Sequence, residues 1–295
     1  MSRLASCPLC GGETDLAFRV GDRNRAITDQ GFEYRRCGSC RTTYLLDVPD
    51  DLGRYYPEDY YGLPTAAELD RAADGEVSKL ALLRPFVSDG QMVEIGPAFG
   101  IFALAAKRAG FDVIAIEMDR RCCKYLEDVV GVRAICSDAP EKVLTDVGPT
   151  TVIVLWHVLE HLPRPWDVLE QAAERLDSGG VLALAMPNPD SLQFRLLGSR
   201  WAHVDAPRHL FLIPFAALRA RAEQLGFEVA HVTTSDPAGR HWNVFGWEYA
   251  LRRHPARSPS TRVTRMCSRL LGLGLAPLEC RGMNGAAYTA VFVKR

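Results

Sequence analysis

No stretch of about 18 consecutive apolar residues occurs in the 295-residue chain, so a membrane-spanning helix is not expected. An excess of either charge is also missing: 35 Lys and Arg face 36 Asp and Glu, a formal net charge of -1. Such a balance gives no global cationic field to draw in nucleic acid or an anionic membrane, and partners must be recognised locally. The first residues, Met1 to Cys7, lack an apolar core of signal-peptide length. A cytoplasmic protein is expected. At 47% hydrophobic and 24% charged residues the composition excludes disorder and collagen, and the length suits about two domains.

Nine cysteines make an odd count, which argues against a disulfide framework. Four fall in two tight pairs, Cys7-Pro8-Leu9-Cys10 and Cys37-Gly38-Ser39-Cys40, with 26 residues between them. Each pair puts two thiolates on one turn, and two facing turns complete the tetrahedral sulfur shell that zinc prefers. Residues 17–20, 32–36 and 42–46 read as flanking strands. A zinc ribbon over residues 1–48 is expected, its metal held by Cys7, Cys10, Cys37 and Cys40. Four thiolates close the shell, which makes the zinc structural, and neither pair follows a strand and opens a helix as a redox motif would. Cys122, Cys123, Cys136, Cys267 and Cys280 follow no ligand spacing and read as small buried hydrophobes. Residues 49–89 read as an aromatic linker and N-terminal helix; Tyr55, Tyr56, Tyr60 and Tyr61 could line a substrate pocket, but packing of the linker against the main domain is the first expectation.

From Gln91 onward, apolar strands alternate with amphipathic helices, the pattern of an α/β domain with a parallel sheet covered on both faces. Strands are expected at 92–95, 112–117, 132–135, 151–156, 181–185, 227–232 and 287–293. Helices are expected at 101–109, through Trp166, Leu169, Ala173 and Leu176 up to a stop at Gly179-Gly180, and from Pro214 to Leu225. The first strand ends in Gly96-Pro97-Ala98-Phe99-Gly100, and the second ends in Glu117, 21 residues after Gly96. Glycines there let a ligand approach the backbone, and a carboxylate at the second strand's end can accept from two adjacent ribose hydroxyls. The three glycines of a dinucleotide turn are absent.

This segment resembles the class I S-adenosylmethionine-dependent methyltransferases. Glu94 matches the acid of their first motif, Gly96 and Gly100 its outer glycines, and Ala98 stands in place of the middle one. Ser137-Asp138-Ala139 lies where that family binds the adenine amino group. Trp156-His157-Val158-Leu159-Glu160-His161-Leu162 resembles its segment after the fourth strand, and Asp177-Ser178-Gly179-Gly180 its turn before the fifth. The resemblance implies a Rossmann-like seven-stranded sheet over residues 90–235 and 286–295, with the final strand antiparallel. It also implies S-adenosylmethionine held by Glu94, Gly96, Pro97, Ala98, Gly100, Glu117, Met118, Asp138, Ala139, Trp156 and His157. Relatives with a four-cysteine ribbon and a segment like Trp201-x-x-x-Asp205-x-Pro207-Arg208-His209-Leu210 act on sugars, quinone-like rings and specialised metabolites. O-methylation of a small molecule is therefore the first expectation. The alternatives are methylation of carbon or nitrogen, an RNA methyltransferase docking through the ribbon, and a catalytically silent binding module.

Methyl transfer from a sulfonium needs alignment, exclusion of water and, for a hydroxyl acceptor, removal of a proton. His157, Glu160, His161, Asp205 and His209 are the polar groups expected above the sheet's carboxyl edge, with His161 and His209 the leading bases. A metalloprotease reading of His-x-x-Glu-His fails because that motif belongs within a helix. A divalent cation held by His157, Glu160, His161 and His209 is a second expectation. Residues 186–213 form a long connection, read as a lid with Trp201 as an apolar wall and Arg208 facing a substrate anion or pairing with an aspartate. Residues 236–285 form an insertion whose arginines 252, 253, 257, 262, 265 and 269 run without an acid. These read as a solvated face rather than a nucleic-acid site, with Met266, Leu270, Leu271, Leu273 and Leu275 available to cap the active site or contact a second copy of the chain.

Overall fold

The computed structural model describes residues 6–57, 60–252, 255–256 and 260–295. The N-terminal unit begins with strands β1 (Thr14–Gly21) and β2 (Gly31–Cys37), paired antiparallel, and β3 (Thr43–Leu45), which follows the second cysteine pair and joins β2. Side chains alternate across a strand, so Phe32 and Tyr34 turn inward together and are buried. Helix α1 (Ala66–Asp74) starts at a reciprocal cap in which Thr65 accepts from the Glu68 amide and Glu68 accepts from the Thr65 amide. Helix α2 (Val77–Leu83) follows.

The chain then alternates as expected of an α/β domain: β4 (Gly90–Ile95), α3 (Ile101–Arg108), β5 (Phe111–Glu117), α4 (Arg120–Tyr125), β6 (Arg133–Cys136), α5 (Pro140–Val143), β7 (Thr150–Trp156), α6 (Pro165–Arg175), β8 (Leu176–Pro187) and α7 (Leu192–Leu197). A two-residue strand β9 (Phe211–Leu212) precedes α8 (Phe215–Gln224), β10 (Phe227–Thr233), α9 (Pro237–Ala250), α10 (Arg262–Glu279) and β11 (Ala287–Lys294). The large sheet has the order β10-β11-β8-β7-β4-β5-β6, and β11 runs antiparallel to both its neighbours. Val152 to Leu155 and Val181 to Leu184 are wholly buried, as continuous apolar strands must be when helices cover both faces.

Three local expectations are corrected. Helix α6 stops at Arg175, and Leu176 already belongs to β8: it pairs with Thr150, while Val152 pairs with Val181. The two glycines thus sit in an irregular stretch inside the strand, with Gly179 at φ 81°, because the buried Leu176 side chain is a sheet residue. Cys122 and Cys123 are buried, but Cys136, at the end of an edge strand, and Cys267 and Cys280, in and just after α10, are exposed. The ribbon sheet has a fourth strand, β9, contributed by the connection at 186–213.

The insertion between β10 and β11 folds as α9 and α10. Met266, Leu270 and Leu273 are exposed on α10, and Arg253 and Arg257 lie outside the described residues. Among the described residues no helix is long and apolar enough to cross a membrane.

Candidate active site

The carboxyl ends of β4, β5 and β7 frame a cavity of about 550 Å³. The turn after β4 takes left-handed backbone at Gly96 (φ 67°), Ala98 (φ 52°) and Gly100 (φ 84°). At Gly96 a side chain is also excluded by contact, since a Cβ would meet Val158 Cγ2 at 2.6 Å. Ala98 adopts the same backbone region with a methyl group present, at a cost of about 1–2 kcal/mol. Its amide donates to Glu117 Oε2 at 2.9 Å, and Glu117 Oε1 accepts from the amides of Met118 and Asp119 at 2.8 and 2.9 Å. The Glu117 carboxylate is therefore fixed in place. With about four acceptor positions on a carboxylate, one remains for a ligand hydroxyl, where the sequence suggested two. Burial nevertheless pushes this carboxyl up, against the pull of the three amides.

Glu94, Gly96, Pro97, Ala98, Glu117, Met118, Asp138, Trp156 and His157 line the cavity. Gly100 and Ala139 are not part of that lining; they are the N-cap residues of α3 and α5. Burial raises Glu94 to about 8. Glu94 Oε2 and Trp156 Nε1 are buried and have no hydrogen-bond partner among the described residues. Lys79, which the motifs did not flag, also faces the cavity, paired to Glu76 at 2.6 Å and 5.1 Å over the Trp156 ring.

A second group of polar side chains adjoins this cavity. His157 has φ 58°, strained for a residue with a β-carbon, and the single turn after it brings Glu160 inward, where it is fully buried. His161 Nδ1 lies 3.0 Å from the Arg208 carbonyl and 3.0 Å from the Tyr56 hydroxyl. A carbonyl can only accept, so Nδ1 carries the proton and Nε2 keeps a lone pair. By the same argument His209 Nδ1 donates to the His203 carbonyl at 2.8 Å, leaving its Nε2 a lone pair. One donor atom each from Glu160, His161 and His209 lie within 4.8 Å of one another. His157 is outside that set, with Nδ1 at 3.5 Å from Glu160 Oε1. Neither oxygen of Glu160 has a hydrogen-bond donor among the described residues. Burial depresses His157 and His161 to about 4 and His203 to about 3, lowers His209, and raises Glu160.

The ribbon holds this cluster from behind. Arg208, fully buried, donates to Asp22 Oδ1 at 2.7 Å and to both oxygens of Asp205. The Tyr34 hydroxyl donates to the His209 carbonyl at 2.7 Å, Asn24 to the Ala202 carbonyl at 3.1 Å, and the Leu45 amide to the Leu210 carbonyl at 2.9 Å. Residues 186–213, expected as a lid, instead form an inner wall: Trp201, Leu210 and Leu212 are buried, and Arg208 faces aspartates rather than a substrate anion. The Asp205 carboxylate is committed to that ion pair, which holds it below the usual range despite burial. Asp22 and Tyr34 carry no sequence signal for this role, because both sit in the ribbon hairpin far from any motif.

At the other end of the ribbon, Cys7 and Cys40 sulfurs lie 3.7 Å apart, and Cys10 and Cys37 sulfurs 3.5 Å apart. All four fall within 4.8 Å of one another. Bonds of about 2.3 Å to a tetrahedral ion require sulfurs about 3.8 Å apart, so the four thiolates fit one metal.

Residues 66–232 match the family model described as a methyltransferase domain. The chain is 27% identical over 149 residues to the ubiquinone biosynthesis O-methyltransferase of Bordetella avium (strain 197N), over 47% of this chain and 62% of that protein. It is 27% identical over 180 residues to the protein of the same name from Psychrobacter arcticus, over 56% and 67% of the two chains. The chain thus spans 62% of the length of the Bordetella relative. Among solved structures it resembles a SAM dependent methyltransferase from Archaeoglobus fulgidus, with a TM-score of 0.52, 18% identity, and 75% of this chain and 94% of that one covered. It also resembles a cyclopropane synthase from Mycobacterium tuberculosis, with a TM-score of 0.51, 16% identity, and 74% and 84% covered. At these identities the structural likeness is one of fold.

Proposed function

The chain belongs to the methyltransferase-domain family and has the fold of the class I S-adenosylmethionine-dependent enzymes; from that membership we propose that it methylates a hydroxyl oxygen of a small molecule. The observation that carries this reading is the junction of two features at one sheet edge. A cavity of about 550 Å³ has the fixed Glu117 carboxylate in its wall, and His161, its Nε2 lone pair unused, stands in the same wall.

The cavity suits S-adenosylmethionine because it offers unpartnered buried polar atoms, Glu94 Oε2 and Trp156 Nε1, beside an open left-handed turn. Glu117 would accept from a ribose hydroxyl, Asp138 from the adenine amino group, and Lys79 would face the amino-acid carboxylate. When bound, the cofactor supplies a methyl carbon activated by a sulfonium, whose thioether leaves neutral and needs no acid. The protein's part is to orient the acceptor, exclude water and take its proton. His161 does the last: burial keeps it neutral down to about 4, and the Arg208 carbonyl fixes its tautomer. His209 stands edge-on at 4.5 Å between ring centroids. Asp205 acts through Arg208 as a positioning residue. The relatives' names support oxygen as the acceptor atom.

A second reading places a divalent cation on Glu160, His161 and His209. It is favoured by the two unpartnered oxygens of Glu160 and by the Nδ1 bonds to backbone carbonyls that aim both imidazoles, the arrangement common behind metal-bound histidines. The four cysteines would hold a structural zinc.

Calorimetry with S-adenosylhomocysteine tests the reading. Micromolar binding is expected, lost in Glu117→Gln, whose amide nitrogen cannot accept from the Ala98 or Met118 amides. No heat and no thermal shift at about 1 mM ligand would remove the enzyme reading.

A further inference from the structure

Beside the cofactor cavity lies a second, half-open chamber of about 410 Å³, lined by the ribbon loop, the segment at 186–213, helix α9 and, beyond it, Arg252 and Pro255. The two cavities share Tyr60, His157 and His161 as walls. We infer that this chamber is the acceptor site and that it takes a planar hydroxylated aromatic carboxylate, its hydroxyl toward His161 and its carboxylate toward Arg25. The inference rests on the methyl-transfer reading for what happens to the hydroxyl, but not for the binding itself.

The walls set the shape of the ligand. Tyr60, Trp242, Phe245 and Tyr249 all face the chamber, and Trp242 stacks edge-on with Phe245 at 5.5 Å and with His203 at 5.0 Å between centroids. A flat ring buries well against such faces, whereas a polyhydroxylated saturated ring would leave its axial hydroxyls unsatisfied against them.

The polar groups set its direction. At the inner end, the Glu160 oxygens and the Nε2 atoms of His161 and His209 are acceptors, and an acceptor cluster calls for hydroxyl donors. His203 is 5% exposed and lines the chamber, yet its Nε2 has no partner among the described residues. A buried nitrogen left in this way is costly unless a ligand meets it. Glu160 and Asp205 would repel an anion at this end. At the outer end Arg25 is exposed and lies over the Tyr60 ring at 4.4 Å, with no carboxylate in ion-pair range among the described residues. A guanidinium so held presents its fork to a carboxylate. The chamber therefore polarises its ligand, hydroxyl inward and acid outward.

Titration calorimetry on the full chain with 3,4-dihydroxybenzoate and with catechol tests this. Wild type is expected to bind the acid about tenfold more tightly than catechol. Arg25→Gln should abolish that preference while leaving catechol affinity unchanged, and His203→Leu should weaken both ligands about tenfold. S-adenosylhomocysteine binding, measured on each variant, should stay within about twofold of wild type and reports that the fold is intact. Absence of heat with either ring up to about 10 mM, or a preference for the acid that survives Arg25→Gln, overturns the proposal. Should wild type bind the acid but not S-adenosylhomocysteine, the methyl-transfer reading fails while the chamber stands.

Discussion

Replacing Arg208 with methionine keeps most of the side-chain length and deletes the charge that joins the ribbon to the wall of the candidate active site. Arg208 is 1% exposed, Asp22 0% and Asp205 13%, so two carboxylates would be left facing each other out of water. Asp22 would keep the amides of Arg25 and Ile27, at 3.1 and 2.9 Å, but Asp205 would face, among the described residues, just the unprotonated Nε2 of His209 at 4.0 Å, which cannot donate to it. Breaking a buried pair in this way costs about 3–5 kcal/mol. At about 2 °C per kcal/mol for a chain of this size, the thermal midpoint should fall by about 6–10 °C.

The pH dependence has a definite sign. In the native protein burial pushes Asp205 up, but the Arg208 hydrogen bonds and charge outweigh it and hold the carboxyl below its ordinary value. A depressed carboxyl gives stability that is present above the unfolded value of about 3.9 and lost as pH falls through the folded one. Without Arg208 the burial effect is unopposed and the carboxyl rises. The deficit of Arg208→Met is then full at neutral pH, narrows as the pH falls toward about 4 and the variant's carboxyl is protonated, and closes only as the pH falls through the lower value of the wild-type carboxyl. Urea unfolding followed by tryptophan fluorescence at pH 7.5 and pH 5 reads both quantities. A deficit under about 1 kcal/mol at pH 7.5, or one identical at the two pH values, would refute the ion-triad account.

If the four cysteines hold zinc as proposed, stripping it with a strong chelator or by Cys10→Ser should lower methyl transfer more than tenfold while changing S-adenosylhomocysteine affinity less than threefold, because the ribbon bonds to residues 202–212 beside the histidine cluster; equal losses in both would contradict this. Gly96→Ala places a Cβ 2.6 Å from Val158 at φ 67°, and should weaken cofactor binding and lower the thermal midpoint together. Tyr34→Phe removes the hydroxyl bond to the His209 carbonyl from a fully buried ring, a loss of about 1–2 kcal/mol, with kcat falling more than KM rises; an unchanged kcat would show that the bond does not position His209. His157 and His161 sit at about 4, by burial first, so each contributes stability above the unfolded value of about 6.5 that is lost as pH falls through 4; their ring signals in a proton NMR titration should not move between pH 6 and 8, and a midpoint near 6.5 for either would sink the assignment.

Much of this protein is written locally. Parallel strands buried on both faces must be apolar throughout, so β7 and the second half of β8 are plain in the sequence. Left-handed backbone favours glycine, which makes the turn after β4 visible even with Ala98 in it. A tetrahedral sulfur shell needs two thiolates on each of two tight turns, and that spacing is readable before any folding is considered. The irregular start of β8 was not readable, since Leu176 fits either a helix face or a strand until its partner Thr150 is known.

What the sequence determined alone is therefore the set of elements and the chemistry each motif carries. Tertiary structure decided how they meet: that β9 would leave the main domain to pair with β3, that Asp22 would reach Arg208 across 186 positions of chain, and that His203 and Trp242 would close a chamber beside His161. Contacts of that range depend on where the ribbon docks, and no local periodicity encodes the docking of one folded unit on another.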